Sequence, residues 1–92
     1  MQVKVHFVGM FKHHTKDAEK EYELREEATV GELLLAVGRD YGRRLPEQMW
    51  DAAGERFHPT ISAVRKGSTA LESEEQLKEG DEIYIFTRMA GG

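Results

Sequence analysis

Residues 29–42 read TVGELLLAVGRDYG, a stretch that predicts the main helix of the chain. Thr29 is followed three residues later by Glu32, which matches a capping box, where each side chain bonds a free backbone N–H of the first turn. Gly42 is predicted to end the helix in the left-handed conformation. Apolar side chains recur between these ends at helical spacing and predict one face turned towards a sheet: Val30, Leu33, Leu34, Val37 and Tyr41.

The segment before this helix predicts a β-hairpin. Val3, Val5 and Phe7 alternate with other residues and are the expected buried face of a first strand. Residues 21–25 alternate in the same way and predict a second strand. The polar residues 9–18 between them are interpreted as a hairpin loop, in which Met10 and Phe11 could pack over an edge of the sheet.

The segment after the helix holds the other predicted strands. Residues 43–59 have a weak pattern and are interpreted as an irregular crossover, in which Trp50 would close a satellite cluster. Residues 61–66 and 82–86 alternate as strands do. Several short pieces lie between these two strands: a turn at 67–69, a short return strand at Ala70-Leu71, a turn or single helical turn at 72–78 anchored by Leu77, and a turn at Gly80-Asp81.

This order of elements predicts an α+β fold: a mixed four- to five-stranded sheet with one main helix packed across it. If the first and last strands are neighbours, they run parallel at the buried centre of the sheet. The length of 92 residues predicts a single domain, 1–92, with residues 87–92 as a flexible C-terminal tail.

Composition excludes several classes of protein. The sequence has no Cys, so disulfides and thiol chemistry are excluded. A net charge of −4 argues against nucleic-acid and membrane partners. The longest apolar runs are far shorter than the roughly 18 residues of a membrane span, and Lys4 and His6 interrupt the start where a signal peptide would be apolar. We therefore expect a cytoplasmic protein.

The sequence predicts no metal or nucleotide site in this chain. His13 and His14 are adjacent, and adjacent side chains converge poorly on one ion, so they are interpreted as solvated loop residues. His6 and His58 have no companion at metal-ligand spacing. The glycines do not form a phosphate-binding fingerprint. Six carboxylates lie close together near the end and are interpreted as a solvated surface or as a landing site for a basic groove on a partner: Glu72, Glu74, Glu75, Glu79, Asp81 and Glu82.

The last two residues, Gly91 and Gly92, are the most unusual chemical feature of the sequence. Glycine has no Cβ, so a chain that ends in two glycines can pass through a narrow channel in another protein. A terminal carboxylate is ionised at neutral pH and can attack a phosphate. The alternative is that the two glycines are a frayed end or a cloning remnant.

Three stretches, in order and at matching spacing, resemble the β-grasp sulfur carriers. They are residues 29–34 (TVGELL), residues 77–83 (LKEGDEI), and Phe86 followed after a spacer by Ala90-Gly91-Gly92. This MoaD/ThiS group includes the small subunit of molybdopterin synthase and the archaeal ubiquitin-like modifiers. The chain departs from many of its members at residues 87–89, which read TRM where those members have two Pro and a Val.

The resemblance implies that Gly92 is the reacting residue and that this chain has no catalytic residue and binds no cofactor itself. A ubiquitin-activating-type enzyme would use ATP and Mg to adenylate the carboxylate, and a sulfur donor would convert it to a thiocarboxylate. This activating enzyme is the partner whose basic groove would receive the acidic stretch. The tail would be threaded into a partner, through Met89, Ala90, Gly91 and Gly92. The most favoured acceptor is the large catalytic subunit of molybdopterin synthase, in molybdenum or tungsten cofactor biosynthesis.

Other functions remain open. As a ubiquitin-like modifier, the protein would form an isopeptide bond between Gly92 and a lysine of a target. As a carrier for another pathway, it would supply sulfur for thiamine, cysteine or tRNA thiolation. A third alternative is an inert β-grasp interaction module, which would tolerate a blocked C-terminus.

The last strand also predicts a docking face. If Ile83 and Ile85 face the helix, Tyr84 and Phe86 lie on the opposite side of the sheet, where exposed aromatic residues mark a binding surface. The predicted partner-binding residues are Phe86, Tyr84, Arg88 and Val8. The alternative is that Met10, Phe11 or the crossover covers this face.

Overall fold

The computed structural model describes residues 1–68 and 70–88. Thr69 and residues 89–92 lie outside that part. The elements along the chain are β1 (Gln2–Phe7), α1 (Met10–Thr15), β2 (Glu19–Glu23), α2 (Val30–Tyr41), a 3-10 turn (Gly42–Arg44), β3 (Trp50–Asp51), β4 (Arg56–Phe57), β5 (Ile61–Arg65) and β6 (Glu82–Thr87).

The main sheet has four strands in the order β2-β1-β6-β5. β1 pairs with β6 in parallel, as predicted, and the other two pairs are antiparallel. β3 and β4 form a separate two-stranded ribbon inside the segment predicted to be an irregular crossover. The fold is the predicted α+β arrangement, with β6 at the centre between β1 and β5.

Helix α2 confirms the predicted bounds and the predicted capping box. The Thr29 hydroxyl accepts a hydrogen bond from Glu32 N at 3.3 Å, and Glu32 Oε2 accepts one from Thr29 N at 3.1 Å. Arg25 donates to both carboxylate oxygens of Glu32. This pairing holds the pKa of Glu32 below its usual value, so the cap is charged at neutral pH.

The end of α2 corrects one prediction. Gly42 has φ −52° and ψ −34°, which is right-handed, and the chain continues into the 3-10 turn. The reason for a glycine here is space: a Cβ at Gly42 would lie 2.6 Å from Trp50 Nε1. At Gly38, one helical turn earlier, a Cβ would lie 2.1 Å from Trp50 Cζ3. The indole therefore packs directly on the backbone of α2.

Trp50 corrects a second prediction. Its side chain is 6% exposed and belongs to the main core, so it does not close a satellite cluster. Its ring meets that of Phe57 at a centroid distance of 4.8 Å. Other core residues follow the predicted faces of the helix and strands, among them Val3, Val5, Phe7, Val30, Leu33, Val37, Tyr41, Leu77, Ile83 and Ile85, whereas Leu34 is half-buried.

The segment predicted to be a hairpin loop contains a helix, α1. Phe11 is fully buried and stacks on Phe7 at 5.6 Å, while the Thr15 hydroxyl donates to backbone carbonyls at 3.0 and 3.3 Å. These two inward side chains hold the short helix against the core. As a result, β2 begins at Glu19, two residues earlier than predicted.

The segment between β5 and β6 contains turns at residues 66–68, 73–74 and 79–80. Ala70 forms a single antiparallel bridge with Val64, in place of the predicted return strand. Residues 72–78 contain a turn, the first of the two predicted alternatives, in which Glu75 N donates to Glu72 O at 3.1 Å, and Leu77 is buried as predicted. Within residues 1–68 and 70–88, no helix is both long and apolar enough to cross a membrane.

Candidate functional site

The base of the predicted tail is fixed to the sheet. Thr87, its first predicted residue, is the last residue of β6 and lies opposite Ile61. Arg88 N donates to Thr60 O at 2.7 Å, and the Arg88 guanidinium donates to the carbonyl of Pro59. Met89, Ala90, Gly91 and Gly92 lie outside the described residues, so their insertion into a partner stays a prediction.

The predicted docking face lies on the side of the sheet opposite α2. Ile83 and Ile85 are fully buried, and alternation places Tyr84 and Phe86 on the other face, where both are half-buried. Val8 is 41% exposed and is joined to the central strand, because its N–H donates to Ile85 O at 3.1 Å. These three side chains and Arg88 all lie on or beside β6.

Tyr84 is half-buried because His6 covers it. The two rings stack at a centroid distance of 4.5 Å with 14° between their planes. His6 Nε2 lies 2.8 Å from Glu82 Oε1. This hydrogen bond and the nearby Lys66 ammonium hold the pKa of Glu82 below its usual value, so Glu82 is ionised at neutral pH.

Sequence reasoning assigned His6 no partner, whereas the structure places it inside the predicted docking face. The parallel register aligns His6 with Tyr84 across β1 and β6. The available signal was the alternation of both strands, which places the two residues on the same face once the parallel pairing is assumed. The sequence could not supply the register itself.

Some carboxylates of the acidic stretch form ion pairs with the sheet, and others are exposed to solvent. The Asp81 carboxylate accepts two hydrogen bonds from Arg65, at 3.1 and 3.2 Å, and one from Lys78 N at 2.8 Å. Asp81 and Glu82 are therefore part of the sheet's own ion pairs and do not form a uniform solvated surface. Three other carboxylates of the stretch are exposed: Glu72, Glu74 and Glu79.

A groove of about 550 Å³ opens next to the tail base, between α2, β4, β5 and residues 70–73. Its lining includes the apolar residues Leu34, Leu35, Phe57, Ile61 and Leu71, and Arg88 also contributes to it. Among the residues that the structure describes, no group of three or more His, Asp or Glu side chains could hold a metal ion. The absence of a bound cofactor stays a prediction.

Comparison with known proteins identifies the family. A model described as the ThiS family matches residues 5–92. The chain belongs to the ThiS family. This confirms the resemblance inferred from residues 29–34, 77–83 and the Ala-Gly-Gly end. A comparison with curated protein sequences gives no significant match.

Solved structures share the fold over the whole chain. SAMP1 from Haloferax volcanii is 20% identical over 100% of both chains, with a TM-score of 0.81. A putative molybdopterin converting factor subunit 1 from Pyrococcus furiosus is 22% identical over 96% of this chain and 98% of that chain, with a TM-score of 0.74. A chain of the Amycolatopsis orientalis BexX/CysO complex is 26% identical over 98% of this chain and 99% of its own length, with a TM-score of 0.60.

These matches establish a ubiquitin-like β-grasp protein of the ThiS/MoaD sulfur carrier or modifier type. Members of this family are small carriers that are generally not catalytic themselves and work with adenylating enzymes and larger catalytic partners. The candidate functional site of this chain is therefore the C-terminal end of β6, where Val8 and Arg88 lie beside the sheet face that carries Tyr84 and Phe86.

Proposed function

We propose that this ThiS-family protein is a sulfur carrier whose Gly92 carboxylate is the reacting group. An adenylating enzyme of the ubiquitin-activating type uses ATP and Mg to form an acyl-adenylate at Gly92 and releases pyrophosphate. A sulfur donor then displaces AMP and leaves a thiocarboxylate. Residues 89–92 carry this group into the active site of the partner.

The observation that carries the proposal is the extent of the family match, which runs from residue 5 through Gly92. The base of the tail suits the role as well. Arg88 is bonded through its backbone and its side chain to residues 59 and 60, immediately before the last four residues. A fixed base limits the directions in which a tail leaves the sheet, which lowers the entropy lost when a partner orders it.

We assign docking of the partners to the sheet face that carries Tyr84 and Phe86, with Val8 and Arg88 at its edge. Half-buried aromatic side chains supply apolar area at a low cost in side-chain entropy. Ionised Glu82, held by His6, flanks this area and gives the face a polar margin. The bound partner would cover the aromatic side chains.

For the acceptor, we propose the large catalytic subunit of molybdopterin synthase. The Pyrococcus furiosus neighbour is described as a molybdopterin converting factor subunit, and the Amycolatopsis orientalis neighbour comes from a complex of two different proteins, BexX and CysO. Both names describe a protein that works together with another one. This chain would be the non-catalytic small subunit.

Intact-protein mass spectrometry tests the proposal. The protein is incubated with the adenylating enzyme of its own organism, Mg-ATP and a sulfur donor. We expect a mass increase equal to the exchange of one oxygen for sulfur, located on the C-terminal peptide. Deletion of Gly92 and extension beyond it should both abolish the product, with unchanged circular dichroism spectra.

A matched pair of tail variants sharpens this test. Gly91→Val adds a β-branched side chain to the part of the chain that must pass through a channel, whereas Ala90→Gly removes bulk. We expect loading to fail in the first variant and to persist in the second. Normal loading of an extended chain that is not trimmed would refute the proposal. Lysine-linked adducts without sulfur transfer would instead assign the protein to the modifiers.

A further inference from the structure

The cations of this chain are distributed unevenly between paired and unpaired positions. Seven Lys and Arg side chains form salt bridges with carboxylates: Lys4, Lys20, Arg25, Arg39, Arg56, Arg65 and Lys66. Within residues 1–68 and 70–88, the other six are exposed and form none: Lys78, Arg88, and a group of four, Lys12, Lys16, Arg43 and Arg44. We call these four residues the basic corner.

The basic corner is held together by backbone and side-chain contacts. Lys12 and Lys16 lie at the two ends of the last turn of α1, where Lys16 N donates to Lys12 O at 2.8 Å. Arg43 and Arg44 lie on the 3-10 turn after α2. Arg44 Nη1 donates to Thr15 O at 2.9 Å and so joins the two turns. The backbones of Lys12, Arg43 and Arg44 are therefore helical, and Lys16 is the residue that ends α1.

Two carboxylates close to the corner in sequence, Asp17 and Asp40, accept hydrogen bonds from tyrosine hydroxyls. The hydroxyl of buried Tyr41 donates to Asp17 Oδ2 at 2.7 Å. On α2, Asp40 accepts hydrogen bonds from two residues of β2, Lys20 at 3.0 Å and the Tyr22 hydroxyl at 2.9 Å. Among the described residues, neither carboxylate forms a salt bridge with the basic corner, whose four cations lie on a chain with a net charge of −4.

Exposed apolar side chains adjoin the basic corner on the side of the tail. Met10 is 55% exposed and Val8 is 41% exposed, and both precede Lys12 on the same stretch of chain. Because β1 and β6 run parallel, the end of β1 lies beside the end of β6, where Arg88 begins the path to the tail. The corner, the apolar pair and the tail base therefore share one end of the molecule.

We propose that the basic corner, together with Met10 and Val8, docks on an acidic protein surface of the adenylating partner; this inference rests on the proposed function. Unpaired cations beside an exposed apolar pair have the composition of a binding surface whose charges steer association. A partner that receives the tail must face this end of the molecule. Acidic groups there would pair with cations that have no carboxylate partner in this chain.

Charge reversal tests the inference. The variant Lys12→Glu/Arg43→Glu is suitable because neither side chain makes a hydrogen bond within the described residues. Lys78→Glu is the matched control: Lys78 is exposed, forms no salt bridge among these residues, and lies before the start of β6, at the opposite end of the strand. Association with the adenylating enzyme is followed by stopped-flow fluorescence at low and high salt.

At low salt, we expect the double variant to associate with the enzyme roughly 10-fold more slowly than the original protein does. At about 1 M salt the two association rates should be nearly equal, because charges are screened beyond about 3 Å. Lys78→Glu should stay within about 2-fold of the original protein, since its charge lies outside the interface. Circular dichroism melting of both variants checks that the fold is intact.

Two results would overturn the inference. The first is an unchanged association rate in a folded Lys12→Glu/Arg43→Glu protein that still acquires sulfur at Gly92; this leaves the proposed function intact. The second is a corner that binds polyuridine RNA, with loss in the double variant and no change in enzyme association. Failure of sulfur loading in the original protein, with charge-dependent association retained, would refute the proposed function alone.

Discussion

Substitution of Gly38 by Ala tests how tightly the crossover is packed against α2. The added Cβ would lie 2.1 Å from Trp50 Cζ3, 2.2 Å from Cη2 and 2.6 Å from Cε3. All three atoms belong to the six-membered ring of the indole. That ring is buried against Phe57, so it cannot move away without disturbing a second aromatic side chain.

The expected magnitude is the difference between two opposing effects. Alanine in a helix interior is favoured over glycine by about 1 kcal/mol. Overpacking of a filled core costs about 1–3 kcal/mol, and contacts this short with a rigid ring lie in the upper part of that range. We therefore expect Gly38→Ala to lower the free energy of unfolding by about 1–2 kcal/mol. The melting temperature should fall by about 4–8 °C for each kcal/mol in a domain of this size.

Urea unfolding followed by circular dichroism measures this change. The same substitution is then made in a Trp50→Leu background, which lacks the ring that the Cβ would meet. There Gly38→Ala should stabilise the protein by up to about 1 kcal/mol, so that its sign reverses between the two backgrounds. A stabilising effect in the original protein would show that Trp50 does not pack on α2 as described.

Two further predictions concern the helix cap and the docking face. Thr29→Ala removes the hydroxyl that accepts a hydrogen bond from Glu32 N and should lower the free energy of unfolding by about 1 kcal/mol. Thr29→Ser keeps a hydroxyl and should preserve most of this stability. Equal melting temperatures for the two variants would contradict the cap. Phe86→Asp should weaken binding to the partner by about 2 kcal/mol or more and change the free energy of unfolding by less than about 1 kcal/mol, measured by titration beside thermal melting. Unchanged affinity with a large loss of stability would place Phe86 in the core.

The sequence correctly predicted those elements whose local residue pattern indicates the same structure that their packing in the fold requires. In α2, the capping box and the apolar stripe indicate the same bounds, and the structure has them at Val30 and Tyr41. The order of elements predicted that β1 and β6 run parallel if they are neighbours, and the structure shows that they are. Along each of these two strands, buried residues alternate with more exposed ones.

The missed features depend on contacts between distant residues. α1 has six residues, too few for an apolar period, and its inward side chains are only Phe11 and Thr15. Gly42 resembled a helix terminator, but its lack of a Cβ makes room for Trp50, which lies eight residues further along the chain. Within the predicted tail, residues 87–92, the first two residues are bonded to the sheet, and the sequence and the family match support the role of residues 89–92.

The arrangement at the end of β6 separates two contributions to partner binding. The basic corner lies on α1 and the 3-10 turn, and its charges act over a distance, so they should set the rate of association. Phe86 and Tyr84 lie on the central strand and act only in contact, so their loss should mainly raise the rate of dissociation. Both groups are fixed to elements that converge on the strand leading to Gly92. A partner could therefore be attracted by charge and held by the aromatic face while the last four residues enter its active site.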